Sequence, residues 1–269
     1  MGQKQRGDLI IIGGAEDKYG KSRILEKVVE VIGGRDAKIS IITSATQHPD
    51  EVGAEYQEVF SRLGVGETDV LNINNRDDAN YDENVRRIRD ATGFFFTGGD
   101  QLRITSILGG TRAYMALKEA FQEGTPVVGT SAGASVMSST MIVDGNSNDA
   151  ARKCTLKMAP GLSLFEGVII DQHFDQRGRL GRLLCGVAEN PGILGIGIDE
   201  DTAIRVYPDD YFEVIGNNAV TIIDGTSIKS SNVSESKPDE ILTIANANLH
   251  VLASGYGFDL KRREVLYLN

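Results

Sequence analysis

Several things are scarce in this chain, and each scarcity excludes something. There are only two cysteines, Cys154 and Cys185, and neither sits in a metal-type or redox-type spacing, so a disulfide framework or a zinc site is not expected. Prolines number 6 against 31 glycines. That balance suits tight turns between regular elements, not a disordered or fibrous chain. No apolar run approaches the ~20 residues of a membrane helix. Residues 1–8 are polar and lead directly into an apolar run with no signal-type h-region, so a cytoplasmic protein with no membrane partner is expected. Basic charge is in deficit: the formal net charge is -10. Proteins that grip phosphate backbones usually carry the opposite excess, so nucleic acid is not an expected partner. Histidine is also scarce, with three residues, and this limits any chemistry that needs a base.

What is present is an alternation of apolar runs and amphipathic stretches. Leu9 to Ile12, Lys38 to Ile42, Asp69 to Ile73, Gly93 to Phe96 and Thr125 to Val128 read as strands. Lys21 to Ile32, Asp50 to Leu63, Asn84 to Asp90, Gln101 to Leu108 and Ala113 to Glu123 read as helices between them. Apolar strands in a βαβα order predict an α/β fold with a parallel sheet covered on both faces. In the second half, Gly167 to Ile170, Ile193 to Ile198 and Ala203 to Val206 read as strands. Tyr211 to Ile223 and Ile241 to Leu252 read as antiparallel hairpins turning at Gly216 to Asn218 and at Asn246 to Asn248. With no repeat and no linker, residues 1–269 are expected to form one domain.

Sheets of this kind place chemistry beyond the carboxyl ends of their strands. Gly129-Thr130-Ser131-Ala132-Gly133 follows one such strand and precedes helix-forming residues. This is the strand, G-x-S-x-G and helix order of a nucleophile elbow, which makes Ser131 a candidate nucleophile and the Ala132 amide a candidate oxyanion donor. A serine hydroxyl needs a base. His48 lies in a polar loop and His250 inside an expected strand, whereas His173 follows the run Gly167 to Ile170 at its carboxyl end. His173 is therefore the candidate base. For the acid that orients it, Asp149 and Asp144 lie between nucleophile and base, and Asp171, Asp199, Glu200 and Asp201 remain open. Gly98-Gly99-Asp100-Gln101 closes another strand, and Gly99 could supply the second oxyanion donor. Asp171 to Arg182 carries three arginines in six positions, a density suited to clamping carboxylates.

Together these segments resemble the cyanophycinase family of serine peptidases. The resemblance is carried by Ile11 to Asp17, Phe96 to Gln101, Gly129 to Ala134, Asp171 to Arg182 and Gly197 to Ala203. It implies a three-layer sandwich similar to flavodoxin and the class I glutamine amidotransferases, with C-terminal antiparallel hairpins. It also implies exopeptidase hydrolysis of cyanophycin, a poly-aspartate carrying arginine on each β-carboxyl, to β-Asp-Arg dipeptides. On the matching positions, Ser131 is the nucleophile, His173 the base and Asp149 the acid. The substrate contacts fall on Gln101, Asp171, Gln172, Arg177, Arg179 and Arg182. No metal or cofactor is implied, and a homodimer is usual. On this reading Arg177 and Arg179 would grip substrate carboxylates, and Asp171 and Glu200 would receive the substrate guanidinium. Three rivals stand beside it: an aspartyl dipeptidase acting on short Asp-containing peptides, a lipase-like esterase sharing the elbow, and a catalytically silent protein that only binds a peptide.

Overall fold

A computed structural model describes residues 5–268. Five strands form a parallel block in the order β1 (Leu9–Ile12), β5 (Val127–Thr130), β4 (Gly93–Phe96), β2 (Lys38–Ile42) and β3 (Glu67–Leu71). All four residues of each of β1, β4 and β5 are buried, as expected of strands covered on both faces. Alternate side chains therefore feed two cores. Ile10, Ile12, Ile39, Ile41, Phe95 and Val128 pack on α1 (Arg23–Ile32) and α2 (Pro49–Arg62). Leu9, Ile11, Ile42, Phe94, Phe96 and Val127 face the other way, toward α3 (Asp82–Arg89), α4 (Gln101–Leu108), α5 (Arg112–Gln122) and the short α6 (Ala132–Ser135).

The second half of the chain extends this arrangement in two directions. An antiparallel ribbon of β6 (Thr140–Gly145) and β7 (Leu156–Pro160) follows α6. Next come β8 (Val168–Gln172), α7 (Leu180–Glu189), β9 (Leu194–Ile198), β10 (Thr202–Val206), β11 (Tyr211–Gly216) and β12 (Val220–Asp224). After two-residue strands β13 (Ser230–Ser231) and β14 (Ile244–Ala245) come β15 (Asn248–Leu252), β16 (Tyr256–Asp259) and β17 (Glu264–Tyr267). Strands β10, β11, β16 and β17 add to β1 as an antiparallel wing, giving nine strands in one sheet. Strands β15, β12, β9 and β8 form a separate four-stranded sheet. One face of that sheet, through Ile170, Ile196, Ile198 and Ile222, joins the core under the large sheet. Its other face, through Ile169 and Ile223, is covered by Leu183 and Val187 of α7.

The α/β class and the parallel block agree with the sequence reading, but the two expected hairpins do not form as drawn. β11 pairs with β10 and β16, whereas β12 pairs with β9 and β15. The turn at Gly216 thus carries the chain from one sheet to the other. Gly216 has φ 114°, where a side chain would be strained and would press on the Thr202 backbone. The region around Asn246 likewise separates β14, which pairs with β13, from β15. The terminal hairpin is β16–β17. None of the helices is long and apolar enough to cross a membrane among the described residues.

Candidate active site

The elbow is built from glycines that allow close backbone packing. A Cβ on Gly129 would lie 2.5 Å from the Gly133 carbonyl carbon, and one on Gly133 would lie 2.5 Å from the Phe96 oxygen. With those positions bare, β5 turns sharply into α6, and Ser131 takes φ 54° and ψ −111°. Its amide donates to Ile12 O at 3.0 Å, and its carbonyl accepts from Ala134 and Ser135. The loop that carries Ser131 is therefore tied to β1 on one side and to α6 on the other.

His173 arrives from the four-stranded sheet, just past the carboxyl end of β8. It too has a positive φ, 47°, and its amide donates to Gly13 O at 2.8 Å. Its Nε2 lies 2.9 Å from Ser131 Oγ. Its Nδ1 lies 2.6 Å from Glu200 Oε1. An ionised carboxylate only accepts, so the proton belongs on Nδ1 and the Nε2 lone pair faces the serine hydroxyl. Burial pushes the His173 pKa below its ordinary value. The Glu200 hydrogen bond works against that shift, and the charges of Arg177 and Arg179 add to it. The outcome is a neutral imidazole poised as a base.

The carboxylate that meets His173 is Glu200, and the expected acid, Asp149, is engaged elsewhere. Its carboxylate accepts from its own loop, at Ala150 N (2.8 Å), and from Arg152 Nε (3.2 Å), and these bonds hold its pKa low. Asp144 is exposed and faces Lys157 at 3.7 Å. The correction has a positional cause. Glu200 follows the carboxyl end of β9, the neighbour of β8, and so arrives beside His173. Asp149 instead sits in the connection between β6 and β7. Asp199 stabilises the Glu200 segment by accepting from the Asp175 and Ala219 amides at 3.0 and 3.1 Å. The Glu200 amide donates to Gln176 Oε1 at 2.9 Å.

Five of the expected substrate contacts are largely occupied with protein partners. Asp171 is about 1% exposed and lies beneath Arg182, whose Nε is 2.6 Å away, and Arg179 at 3.4 Å. Gln172 gives both its carbonyl and its Oε1 to Arg179. Burial lowers the Arg179 pKa to about 10, and its Nε is buried without a partner. Gln101 Nε2 donates to Ile142 O and Val143 O at 3.1 and 3.0 Å. Arg177 is exposed. Asp171 is therefore a buried counter-ion for two arginines, not an open guanidinium receptor, and Glu200 is committed to His173.

Gly98 lies beside the serine: a Cβ built on it would be 3.9 Å from Ser131 Oγ. Gly99, at φ 144°, packs on the Ala45 carbonyl. Ala132 opens α6 and is fully buried. Sequence reasoning missed Glu16. Its two oxygens accept from Tyr56 OH at 2.5 Å and from Thr130 Oγ1 at 2.6 Å. The available signal was its place just beyond β1, by the rule that singled out the other loops.

Known proteins resemble this chain over most of its length. The chain is 38% identical over 261 residues to a cyanophycinase of Synechococcus elongatus, covering 97% of this chain and 81% of that one. A cyanophycinase of Geminocystis herdmanii is 38% identical over 268 residues, covering 98% and 97%. Among solved structures, a peptidase from an acI-B1 Actinobacterium shares the fold at TM-score 0.65, with 23% identity over 91% of this chain and 98% of its own. A putative peptidase E protein from Listeria monocytogenes EGD-e does so at 0.58, with 16% identity over 79% and 100%. The sequence profile of peptidase family S51 matches residues 9–215, and this chain belongs to that family.

Proposed function

We propose that this chain is a serine peptidase that hydrolyses cyanophycin to β-Asp-Arg dipeptides. The observation that carries the reading is the Ser131–His173–Glu200 relay, in a chain 37–38% identical over nearly its whole length to proteins named cyanophycinase. An aspartyl dipeptidase acting on short peptides has less support. The putative peptidase E structure matches at 16% identity, below the cyanophycinases.

The chemistry is acyl transfer. Ser131 Oγ attacks a backbone carbonyl of the poly-aspartate while its proton passes to His173 Nε2. Glu200, bonded to Nδ1–H, stabilises the imidazolium that forms. The amides of Ala132 and Gly99 hold the oxyanion. The C–N bond then breaks, and the imidazolium returns its proton to the leaving amine. Water, deprotonated by His173, attacks the acyl-enzyme and restores Ser131. Arg177 is the exposed cation near the base and suits a substrate carboxylate. Gln101, Asp171, Gln172, Arg179 and Arg182 shape and charge the wall behind it. The reading treats residues 1–269 as one domain, because both sheets share a core, and it takes the protein as a cytoplasmic homodimer.

Digestion of insoluble cyanophycin with mass analysis of the products tests the reading. Ser131→Ala should abolish β-Asp-Arg release while leaving the fold intact, a loss of several orders of magnitude, ~10⁴–10⁶. Retained release in a clean preparation would remove Ser131 from the mechanism.

A further inference from the structure

A cavity of about 360 Å³ opens on the reacting pair, and Glu16, Lys18, Tyr19 and Tyr56 line it together with Ser131 and His173. None of the side chains around Asp171 does so among the described residues. Ser131 therefore has a second neighbourhood, on the side of the segment that follows β1. A peptidase must hold substrate on both sides of the bond it cuts, and the exposed Arg177 is proposed above for one of them.

This wall is preorganised. Glu16 is buried and ties Thr130, the residue before the nucleophile, to Tyr56 of α2. The Asp17 carboxylate accepts from the Tyr19, Gly20 and Ser22 amides at 3.1, 2.7 and 3.1 Å. The Asp17 amide donates to Asp201 at 2.9 Å, and Arg62 donates to the Lys18 carbonyl. These bonds fix an otherwise exposed loop so that Lys18 and Tyr19 stand at the cavity. Lys18 Nζ lies 2.8 Å from Glu55 and 4.4 Å from the Tyr56 ring centre.

The hydrogen-bonding capacity of this wall indicates the ligand class. Each Glu16 oxygen already accepts a short hydroxyl bond. An ammonium has three donors, and Lys18 gives one to Glu55. Lys18 is the cation among the lining residues, and its two remaining donors suit a carboxylate, while the Glu16 and Glu55 carboxylates beside it are already hydrogen-bonded within the protein.

We infer that this cavity is the leaving-group subsite, and that Lys18 receives a carboxylate of the departing unit. The inference rests on the peptidase reading above. A departing β-Asp-Arg unit has two such groups, the carboxylate of its arginine and, at a chain end, that of the backbone.

The test uses a synthetic two-unit β-Asp-Arg peptide, as the free acid and with either departing carboxylate capped as an amide. With the wild-type enzyme, one amide should raise KM about tenfold, the scale of a charged hydrogen bond, and that amide identifies which carboxylate binds. Lys18→Gln should raise KM for the free acid by a similar factor and erase the difference between acid and amide. Lys18→Arg should restore it. Labelling of Ser131 by a small fluorophosphonate separates a lost subsite from a misfolded chain. An unchanged KM in Lys18→Gln, or an equal loss on all three peptides, overturns the subsite while leaving the peptidase reading standing. A wild-type enzyme inert on the free acid and on cyanophycin alike overturns both.

Discussion

Gly14 and His173 share space that leaves no room for a side chain between them: a Cβ on Gly14 would lie 2.6 Å from the imidazole Nε2. The glycine also sits at φ 101°. Gly14→Ala should therefore displace the base as well as strain the loop. Even a 1 Å misplacement of a reacting group can cost about 10²-fold, so kcat/KM should fall by at least that. Thermal unfolding should shift only modestly, by the ~1–3 kcal/mol of local backbone strain. Wild-type kinetics in Gly14→Ala would show that the imidazole moves freely.

The acid can be identified by comparing two conservative variants. Glu200→Gln keeps the shape but can offer Nδ1 an amide donor, favouring the wrong tautomer. Loss of such an acid elsewhere costs about 10⁴ in kcat, and a loss of about 10²–10⁴ is expected here. Asp149→Asn should stay near wild type, because its partners are Ala150 and Arg152. The opposite ranking in steady-state assays would return the role to Asp149.

The base also sets a pH limb. Burial lowers the His173 pKa from its ordinary 6.5, so the neutral, active form persists to a more acidic pH than for a free imidazole. The acidic limb of kcat/KM, which reports the free enzyme, should accordingly fall below that value. Arg177 and Arg179 push in the same direction. Arg177→Gln removes one nearby positive charge, so it should move the limb upward. A downward move would contradict the electrostatics.

The buried ion pairs under Asp171 make a stability prediction. Asp171→Asn leaves Arg179 and Arg182 without their shared counter-ion in a site closed to water. Breaking a buried pair by removing one partner costs about 3–5 kcal/mol, measurable as a lower denaturant midpoint. A change below about 1 kcal/mol would mean that water or another anion compensates the arginines.

How far the sequence could be read follows from where information lies along the chain. The parallel block was legible because βαβ order, apolar strands and short connections are local signals. The meeting of Ser131 with His173 was legible because the elbow glycines are neighbours in sequence and few histidines compete. Glu200 was open among six carboxylates, since its selection depends on β9 lying beside β8, a pairing between distant segments. The split of β11 and β12 into different sheets was hidden for the same reason, as local alternation does not name a strand's partner. The commitment of Arg179 and Arg182 to Asp171 is likewise a fact of packing, which a run of charges does not disclose.

Ser131 and His173 both stand on residues with left-handed φ, 54° and 47°. Their backbones bend where their amides are anchored, to Ile12 at the end of β1 and to Gly13 just beyond it. Direction and reactivity are therefore stored in separate parts of the molecule. The bend at residue 131 would present a thiol along much the same line as a hydroxyl, so the scaffold can exchange its attacking atom without being redesigned.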